Sequence, residues 1–166
     1  NYHALKEIRR GHSLAEYLDA MQRINKYGLE SCTHVILNLP GSDKLDVIET
    51  AKVLSAMKTT EAKIHALYII KGTAMADEYL AGKLKLVSME EYIERVILFL
   101  EYLDKSIVLQ RLIGRAPVSH TEFSNWGTNW WEIKAMIDKM LEERDSYQGR
   151  LCDYLNGKAL KKYKII

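Results

Sequence analysis

The chain has 166 residues, enough for one domain with a hydrophobic core. Its 24 Lys and Arg nearly balance 22 Asp and Glu, and a formal charge of +2 gives no general argument for nucleic-acid or membrane binding. No stretch approaches the roughly 20 apolar residues that a membrane-spanning helix needs, and two distant cysteines, Cys32 and Cys152, favour a reducing compartment over a disulfide framework. We therefore expect a cytoplasmic globular domain.

Helix-start and helix-stop signals alternate with short apolar runs along the chain. Ser13 and Glu16 form a capping-box pattern, and Gly28 is a typical helix stop. Ser88 and Glu91 repeat the capping pattern before a strongly apolar helix. The predicted helices span residues 2–9, 13–28, 42–59, 74–81, 88–102 and 128–144.

Continuous apolar runs predict three strands buried on both faces, at residues 31–38, 64–70 and 106–112. Pro40 has no N–H to donate, so the first strand must end before it. The first two runs flank one helix, which is the βαβ pattern of a parallel sheet with a right-handed crossover. The sequence predicts an α/β fold with helices covering parallel strands, as part of a barrel or as an open sheet.

Polar residues and glycines follow the predicted strands. In parallel α/β sheets the carboxyl ends of the strands and the loops after them form the ligand crevice. Glycine allows close approach of backbone to a ligand, and arginine offers a planar fork for a carboxylate or phosphate. We therefore predict one small-molecule site on this rim, formed from His34–Gly41, Lys71–Thr73, Arg111–Arg115 and, between two helices, Arg9–His12.

Structural roles compete with the functional ones at several positions. His34 and His65 each fit a core histidine with one hydrogen-bond partner, and Ile36 fits the core as well as a ligand wall. Arg115 fits a surface or capping residue. Trp126, Trp130 and Trp131 could stack on a substrate, but aromatic side chains beside a helix cap more often pack the end of a domain.

At this point the order of motifs resembles a known family. Arg10-Gly11-His12, a capped helix, the run His34–Gly41 and then Tyr68–Thr73 resemble the second half of a radical SAM core. The group that is most similar comprises bacterial radical SAM, or Fe–S oxidoreductase, proteins of unknown substrate. These are similar to the catalytic subunit of Elongator and, more distantly, to oxygen-independent coproporphyrinogen III oxidase. Arg111–Pro117 and Trp126–Trp130 resemble the C-terminal extension of the same family.

The resemblance implies the C-terminal part of a partial (β/α)6 TIM-like barrel, plus a mainly helical C-terminal extension. Residues 1–104 would form the second half of the core, and residues 105–166 would form the extension packed on it. The first residues enter a helix without a preceding methionine or targeting pattern. We therefore expect this chain to be a piece of a longer protein whose upstream half completes the barrel.

The resemblance also implies S-adenosylmethionine (SAM) beside a 4Fe–4S cluster. By position, Arg10 matches an arginine at the methionine moiety of SAM, His34 a ribose contact and Ile36 an apolar residue against the adenine. Gly72 falls where backbone approaches the adenine edge, and with Thr73 it completes the candidate cofactor-binding residues.

Two further residues are candidates for the substrate side or rim of the site. Asn38 stands where the family usually has the first glycine of Gly-Leu-Pro-Gly, and Arg111 follows the third predicted strand. The family's C-x3-C-x2-C cluster loop is absent from this sequence, and Cys32 and Cys152 do not match it. We therefore expect no metal ligands here, and no catalytic residue is assigned.

The resemblance implies an enzyme: the SAM-binding part of a radical SAM protein that reductively cleaves SAM, inactive as this piece alone. Its electron donor would be a flavodoxin or ferredoxin, and its substrate a small molecule or a tRNA. The tRNA is suggested by the Elongator similarity and by a basic tail, Lys158, Lys161, Lys162 and Lys164. The alternative is a non-catalytic SAM- or nucleotide-binding module that acts as a regulator or RNA-associated partner.

Overall fold

Parallel strands and the helices that connect them dominate the computed structural model, which describes residues 1–115 and 118–158. Its helices are α1 (Tyr2–Glu7), α2 (Leu14–Lys26), α3 (Lys44–Ala56), α4 (Ala74–Leu80), α5 (Met89–Tyr102) and α6 (Trp130–Glu143). Its strands are β1 (Cys32–Ile36), β2 (Glu61–His65), β3 (Ile69–Ile70), β4 (Val108–Arg111) and β5 (Thr121–Phe123).

Short polar side chains start the helices that border the sheet. Ser13 accepts a hydrogen bond from the Ala15 N–H, and Glu16 reaches back to complete the predicted capping box. Asp43 caps α3 in the same reciprocal way, and Ser88 caps α5. Each cap satisfies backbone donors that have no partner within the helix, a contribution of about 0.5–2 kcal/mol.

A parallel sheet in the order β1-β2-β4 lies at the centre of the fold. Strand β1 pairs with β2 from Cys32–Glu61 to Ile36–His65. Strand β4 pairs with the other edge of β2, with a shift of register between Ala62 and Lys63. The α/β prediction with parallel strands and covering helices is confirmed.

The two faces of this sheet differ in polarity because side chains alternate along a strand. One face is apolar and buried against α3, α5 and α6; its core includes Val35, Leu37, Ala62, Ile64, Val47, Ala51, Leu54, Val96, Phe99, Ile133 and Ile137. The other, which we call the inner face, carries polar side chains that are all exposed or partly exposed: Cys32, His34, Glu61, Lys63, His65 and Arg111. Helices therefore cover one face, and the polar groups of the sheet are collected on the other.

The prediction of one strand over residues 64–70 is wrong. Pairing with β1 begins earlier, at Glu61, and ends at His65. Residues 66–68 leave the ladder, and Ile69–Ile70 then pairs antiparallel with β5 in a separate two-stranded sheet. An apolar run shows that a segment is buried, but it does not show which strand the segment pairs with.

A buried arginine fixes the loop after β1. Arg95 is only 4% exposed and donates to the Leu37 carbonyl at 3.1 Å and to the Ser42 carbonyl at 3.0 Å. It also pairs with Glu91, 3.0 Å away on the same helix. Helix α5 therefore holds both ends of the strand-end loop that borders the inner face.

Some expectations concern boundaries and residues at the limits of the described chain. The division after residue 104 stays a prediction; β4, which follows it, pairs with β2 in the main sheet. No helix of the described residues is long and apolar enough to cross a membrane. Of the tail lysines, Lys161, Lys162 and Lys164 lie outside the described residues, as do Ala116 and Pro117 of the family-like segment.

Candidate functional site

A cleft of about 360 Å³ runs along β1, between α1, the start of α2 and α3. Three of the predicted cofactor-binding residues line it together: Arg10, His34 and Ile36. Leu39, Val47 and Val53 are among the residues of its apolar wall. Its volume is within the range of about 300–1,000 Å³ for small-molecule and cofactor pockets.

The turn between α1 and α2 brings Arg10 to this cleft. Gly11 has a φ of +82°, a left-handed conformation that glycine adopts without strain. The Arg10 N–H donates to the Leu5 carbonyl at 3.0 Å, which closes the end of α1. The chain reverses here, and Ser13 then starts α2.

His34, His65 and Arg111 form a row across β1, β2 and β4. The two imidazole rings stack, with centroids 5.1 Å apart, and His65 Nε2 lies 3.2 Å from His34 Nδ1. Arg111 Nη2 lies 3.0 Å from His65 Nδ1 and 3.1 Å from its Nε2.

One set of tautomers uses each ring nitrogen of His65 once. Arginine can only donate, so one His65 nitrogen must accept from it. If Nδ1 accepts from Arg111, Nε2–H is free to donate to Nδ1 of His34. His34 then keeps its proton on Nε2, which makes that nitrogen a hydrogen-bond donor.

Positive charge and partial burial keep both histidines neutral at pH 7. The pKa of His65 is lowered from 6.5 to about 4, mainly because of desolvation and then because of the charge of Arg111. Desolvation and then Lys63 lower the pKa of His34 in the same direction. Arg10 also lowers both pKa values, so its guanidinium acts on the same pair.

The other predicted site residues lie apart from the cleft. Thr73 caps α4: its hydroxyl accepts from the Ala76 N–H at 3.2 Å and donates to the Ile70 carbonyl at 2.8 Å. Gly72, directly before it, is exposed and is not a cleft residue. Asn38 is 1% exposed and accepts from the Leu67 N–H at 2.7 Å. The roles assigned to these residues stay predictions.

The sequence left a core role open for His34 beside its predicted cofactor contact and favoured a core role for His65, but neither side chain is buried in the structure. His34 is exposed and His65 is partly exposed, and each lies on the inner face. Lys63 was missed, although its spacing of two from His65 was a signal that both side chains share a face. Its neighbours in the sheet could not be read from sequence, because they lie on other strands.

Tyr68 and Gly114 also escaped sequence reasoning as a pair. The Tyr68 hydroxyl is buried and has no hydrogen-bond partner within residues 1–115 and 118–158. A Cβ on Gly114 would lie 2.5 Å from that hydroxyl oxygen and 3.4 Å from His65 Nδ1. Only a residue without a side chain fits there, so the loop after β4 closes tightly against Tyr68 and His65.

The tryptophans divide between packing and exposure. Trp126 donates to the Val87 carbonyl at 2.8 Å and packs against Tyr92 and Phe123, which is the end-of-domain role. Trp130 and Trp131 contact each other edge to face and are exposed. Arg115 is also exposed, as a surface residue would be.

The residues of the cleft fit SAM, but the described residues do not fit the iron–sulfur cluster. The cleft offers a guanidinium, an imidazole donor and an apolar wall. Among the described residues no group of three His, Cys, Asp or Glu side chains could hold a metal ion. Partial burial raises the pKa of both thiols, Cys32 and Cys152, which disfavours the thiolate that binds iron.

Comparison with known families identifies a radical SAM-related module. Residues 59–143 match the model of the radical SAM C-terminal domain, and the chain belongs to this family.

Three curated relatives are similar to this chain over most of its length. It is 34% identical over 152 residues to the uncharacterized protein YtqA of Bacillus subtilis (strain 168), covering 92% of this chain and 47% of YtqA. It is 32% identical over 146 residues to an uncharacterized protein of Methanocaldococcus jannaschii, covering 87% and 45%. Protein YhcC of Escherichia coli (strain K12) is 27% identical over 139 residues, covering 84% and 45%. The chain thus spans about half the length of these relatives.

A solved structure supports the fold. Elp3 of the archaeon Methanocaldococcus infernus, with residues 1–46 deleted, superposes with a TM-score of 0.75. The match covers 89% of this chain and 35% of that one, at 21% sequence identity. This confirms the expected radical SAM fold.

Proposed function

We propose that this chain is the SAM-binding part of a radical SAM enzyme that reductively cleaves SAM, with a 4Fe–4S cluster held by residues outside this chain. Membership of the radical SAM C-terminal domain family supports the proposal. The observation that carries it is the meeting of Arg10, His34 and Ile36 in one cleft. These residues come from a turn and a strand more than twenty positions apart in sequence.

Each of the three residues suits a different part of SAM. The guanidinium of Arg10 would bind the methionine carboxylate through charge-assisted hydrogen bonds. His34, with its proton on Nε2, would donate to a ribose hydroxyl. Ile36 would pack against the adenine, as part of the apolar wall.

Bound SAM supplies the radical chemistry, which begins with one-electron reduction. The residues of this chain position it and limit its exposure to water. Arg95 keeps the Leu37–Ser42 loop in place, and this loop borders the cleft. The neutral histidines add hydrogen bonds without adding charge beside the positive sulfonium.

Calorimetric titration of SAM into the full-length, cluster-loaded protein tests the binding roles. Arg10→Ala should weaken SAM binding by about 1.5–3 kcal/mol, the range for a hydrogen bond to a charged group. His34→Ala should cost less, about 0.5–1.5 kcal/mol, because a neutral hydrogen bond exchanges with water. Arg9→Ala is the matched control, because Arg9 precedes Arg10 but does not line this cleft.

Two results would contradict the proposal. Unchanged SAM affinity in folded Arg10→Ala and His34→Ala variants would show that the residue roles are wrong. If SAM binds but the chemically reduced full-length protein releases no 5′-deoxyadenosine, the non-catalytic binding module is the better description.

A further inference from the structure

The positive charges on and beside the inner face form no ion pair among the described residues, although Glu61 lies on the same face at the start of β2, beside Cys32. Arg10, Lys63 and Arg111 take part in none of their salt bridges, whereas other basic side chains do, including Arg23, Lys44, Lys52, Arg95, Lys134, Lys139, Arg144 and Arg150. The groups that shift the pKa of His65 are Arg111, His34, Lys63 and Arg10, and no carboxylate is among them. These cations are therefore available to pair with a bound anion.

One end of the Arg111 guanidinium is held by a histidine, and its other N–H groups are available to a ligand. Its Nη2 contacts the His65 ring, and His65 is in turn stacked on His34. Among the described residues, the rest of the guanidinium fork has no hydrogen-bond partner on the exposed side of β4. A guanidinium pairs well with the two oxygens of a carboxylate or phosphate. Lys63 is the register partner of Arg111 on β2, so the ammonium and the guanidinium are neighbours on one face.

This cation pair is displaced from the proposed SAM site. Arg111 does not line the cleft along β1, and Lys63 does not either. Two strand spacings separate β4 from β1, which amounts to about 10 Å. A carboxylate at Arg10 would therefore leave the Lys63–Arg111 pair available for a second anionic group.

We propose that Lys63 and Arg111 bind a carboxylate or phosphate group of the substrate, with His65 as the residue that positions Arg111. The inference rests on the proposed function for its assumption that SAM occupies the neighbouring cleft. The Tyr68 hydroxyl lies with His65 against Gly114 and has no hydrogen-bond partner among the described residues, so it is an additional donor on this side of the site. The substrate class is thus a molecule with an oxyanion near its reacting part.

Anion titrations of the full-length protein, with and without saturating SAM, test this proposal. The probes are inorganic phosphate and malonate, followed by calorimetry. Arg111→Gln should weaken binding of the preferred probe at least tenfold and weaken SAM binding much less, because Arg111 reaches the SAM cleft only through His65 and His34. Arg23→Gln is the control, because it removes the same charge from an exposed pair with Asp19 on α2 and should change neither affinity.

The imidazole resonance of His65 provides a second readout, which a purely structural role of Arg111 would not move. A bound anion offsets the positive charges of Arg111, Lys63 and Arg10, so it should raise the pKa of His65 in the parent protein. In Arg111→Gln the same probe should raise it much less. Lys63→Gln serves as the second variant if Arg111→Gln does not fold.

Each outcome decides something. Tighter phosphate binding supports a phosphate-bearing substrate, and tighter malonate binding supports a carboxylate. Equal affinity in parent and Arg111→Gln, no binding of either probe, or displacement of the probe by SAM overturns the proposal. Failure of SAM itself to bind contradicts the proposed function, whereas the titrations without SAM still test the oxyanion site.

Discussion

Two buried tyrosine hydroxyls, of Tyr92 and Tyr68, differ in whether they have a hydrogen-bond partner, and this difference determines how each affects the free energy of unfolding. Tyr92 is fully buried and donates to the Leu112 carbonyl at 3.0 Å. The hydroxyl of Tyr68 is also buried but has no hydrogen-bond partner in the part of the chain that the structure describes, and desolvation raises its pKa. An unpartnered buried hydroxyl costs free energy, so a residue with this feature is more easily explained by ligand binding than by stability.

The two Tyr→Phe substitutions should therefore have opposite consequences for the ligand-free protein. Tyr92→Phe leaves the Leu112 carbonyl without its donor and should lower the free energy of unfolding by about 1–2 kcal/mol. Tyr68→Phe should leave it unchanged or raise it by up to about 1 kcal/mol, because only an unpaired hydroxyl is lost. Urea unfolding followed by tryptophan fluorescence measures both. A loss at Tyr68→Phe as large as at Tyr92→Phe would show that the Tyr68 hydroxyl has a structural partner.

At the scale of elements, helix α5 both covers the sheet and shapes the site. Its apolar residues pack on the buried face of β1 and β2, and Arg95 reaches from the same helix to the loop after β1. The guanidinium satisfies two carbonyls that strand pairing cannot reach. The geometry of the cleft therefore depends on two long-range contacts of Arg95, with Leu37 at a separation of 58 residues and with Ser42 at a separation of 53.

Arg95→Met should remove this support while keeping most of the buried volume. The buried Leu37 carbonyl and the partly buried Ser42 carbonyl lose their donor. We therefore expect a loss of about 2–4 kcal/mol in the free energy of unfolding, and weaker SAM binding. Arg23→Met is the control, because its exposed i,i+4 pair with Asp19 should contribute only about 0.3–0.5 kcal/mol. Chemical unfolding curves for both variants check the difference. Equal, small losses would mean that the loop holds its conformation without Arg95.

At the scale of the whole molecule, the outer edge of β1 is open among the described residues. The Leu37 N–H donates to the His65 carbonyl, and the Glu61 N–H donates to the Ser31 carbonyl. The backbone groups of odd-numbered residues along β1 therefore point toward β2. Because backbone groups alternate, those of His34 and its even-numbered neighbours point toward the cleft side. Open strand edges are templates for pairing with further chain.

The 166-residue chain, produced by itself, should therefore associate or bind further protein along β1. The expected result is a mass above that of the monomer, rising with concentration, in size-exclusion chromatography with light scattering. His34→Pro should reduce association, because proline removes an edge donor without removing a bond to β2. A monodisperse monomer at high concentration, equally stable with and without this substitution, would contradict the prediction.

Local signals in the sequence determined most of the elements. The capping residues Ser13, Asp43 and Ser88 and the apolar runs act on neighbouring residues, so they predict helix starts and the βαβ unit without knowledge of the rest. The family-like motifs indicated the radical SAM fold and placed Arg10, His34 and Ile36 as one group. The cleft that they line together agrees with that expectation, whereas their roles in binding await the titrations.

Only the tertiary structure decided how strands pair and which groups meet. Ile69–Ile70 looked continuous with the preceding strand, but it pairs with β5, about fifty residues later. The sequence around His65 favoured a core histidine. In the structure β2 lies between β1 and β4, so the His65 ring contacts both His34 and Arg111. The physical reason is the same in both cases. A local hydrophobic pattern indicates which residues are buried and that side chains alternate along a strand. Strand order and register depend on pairing between distant segments, which no local pattern records.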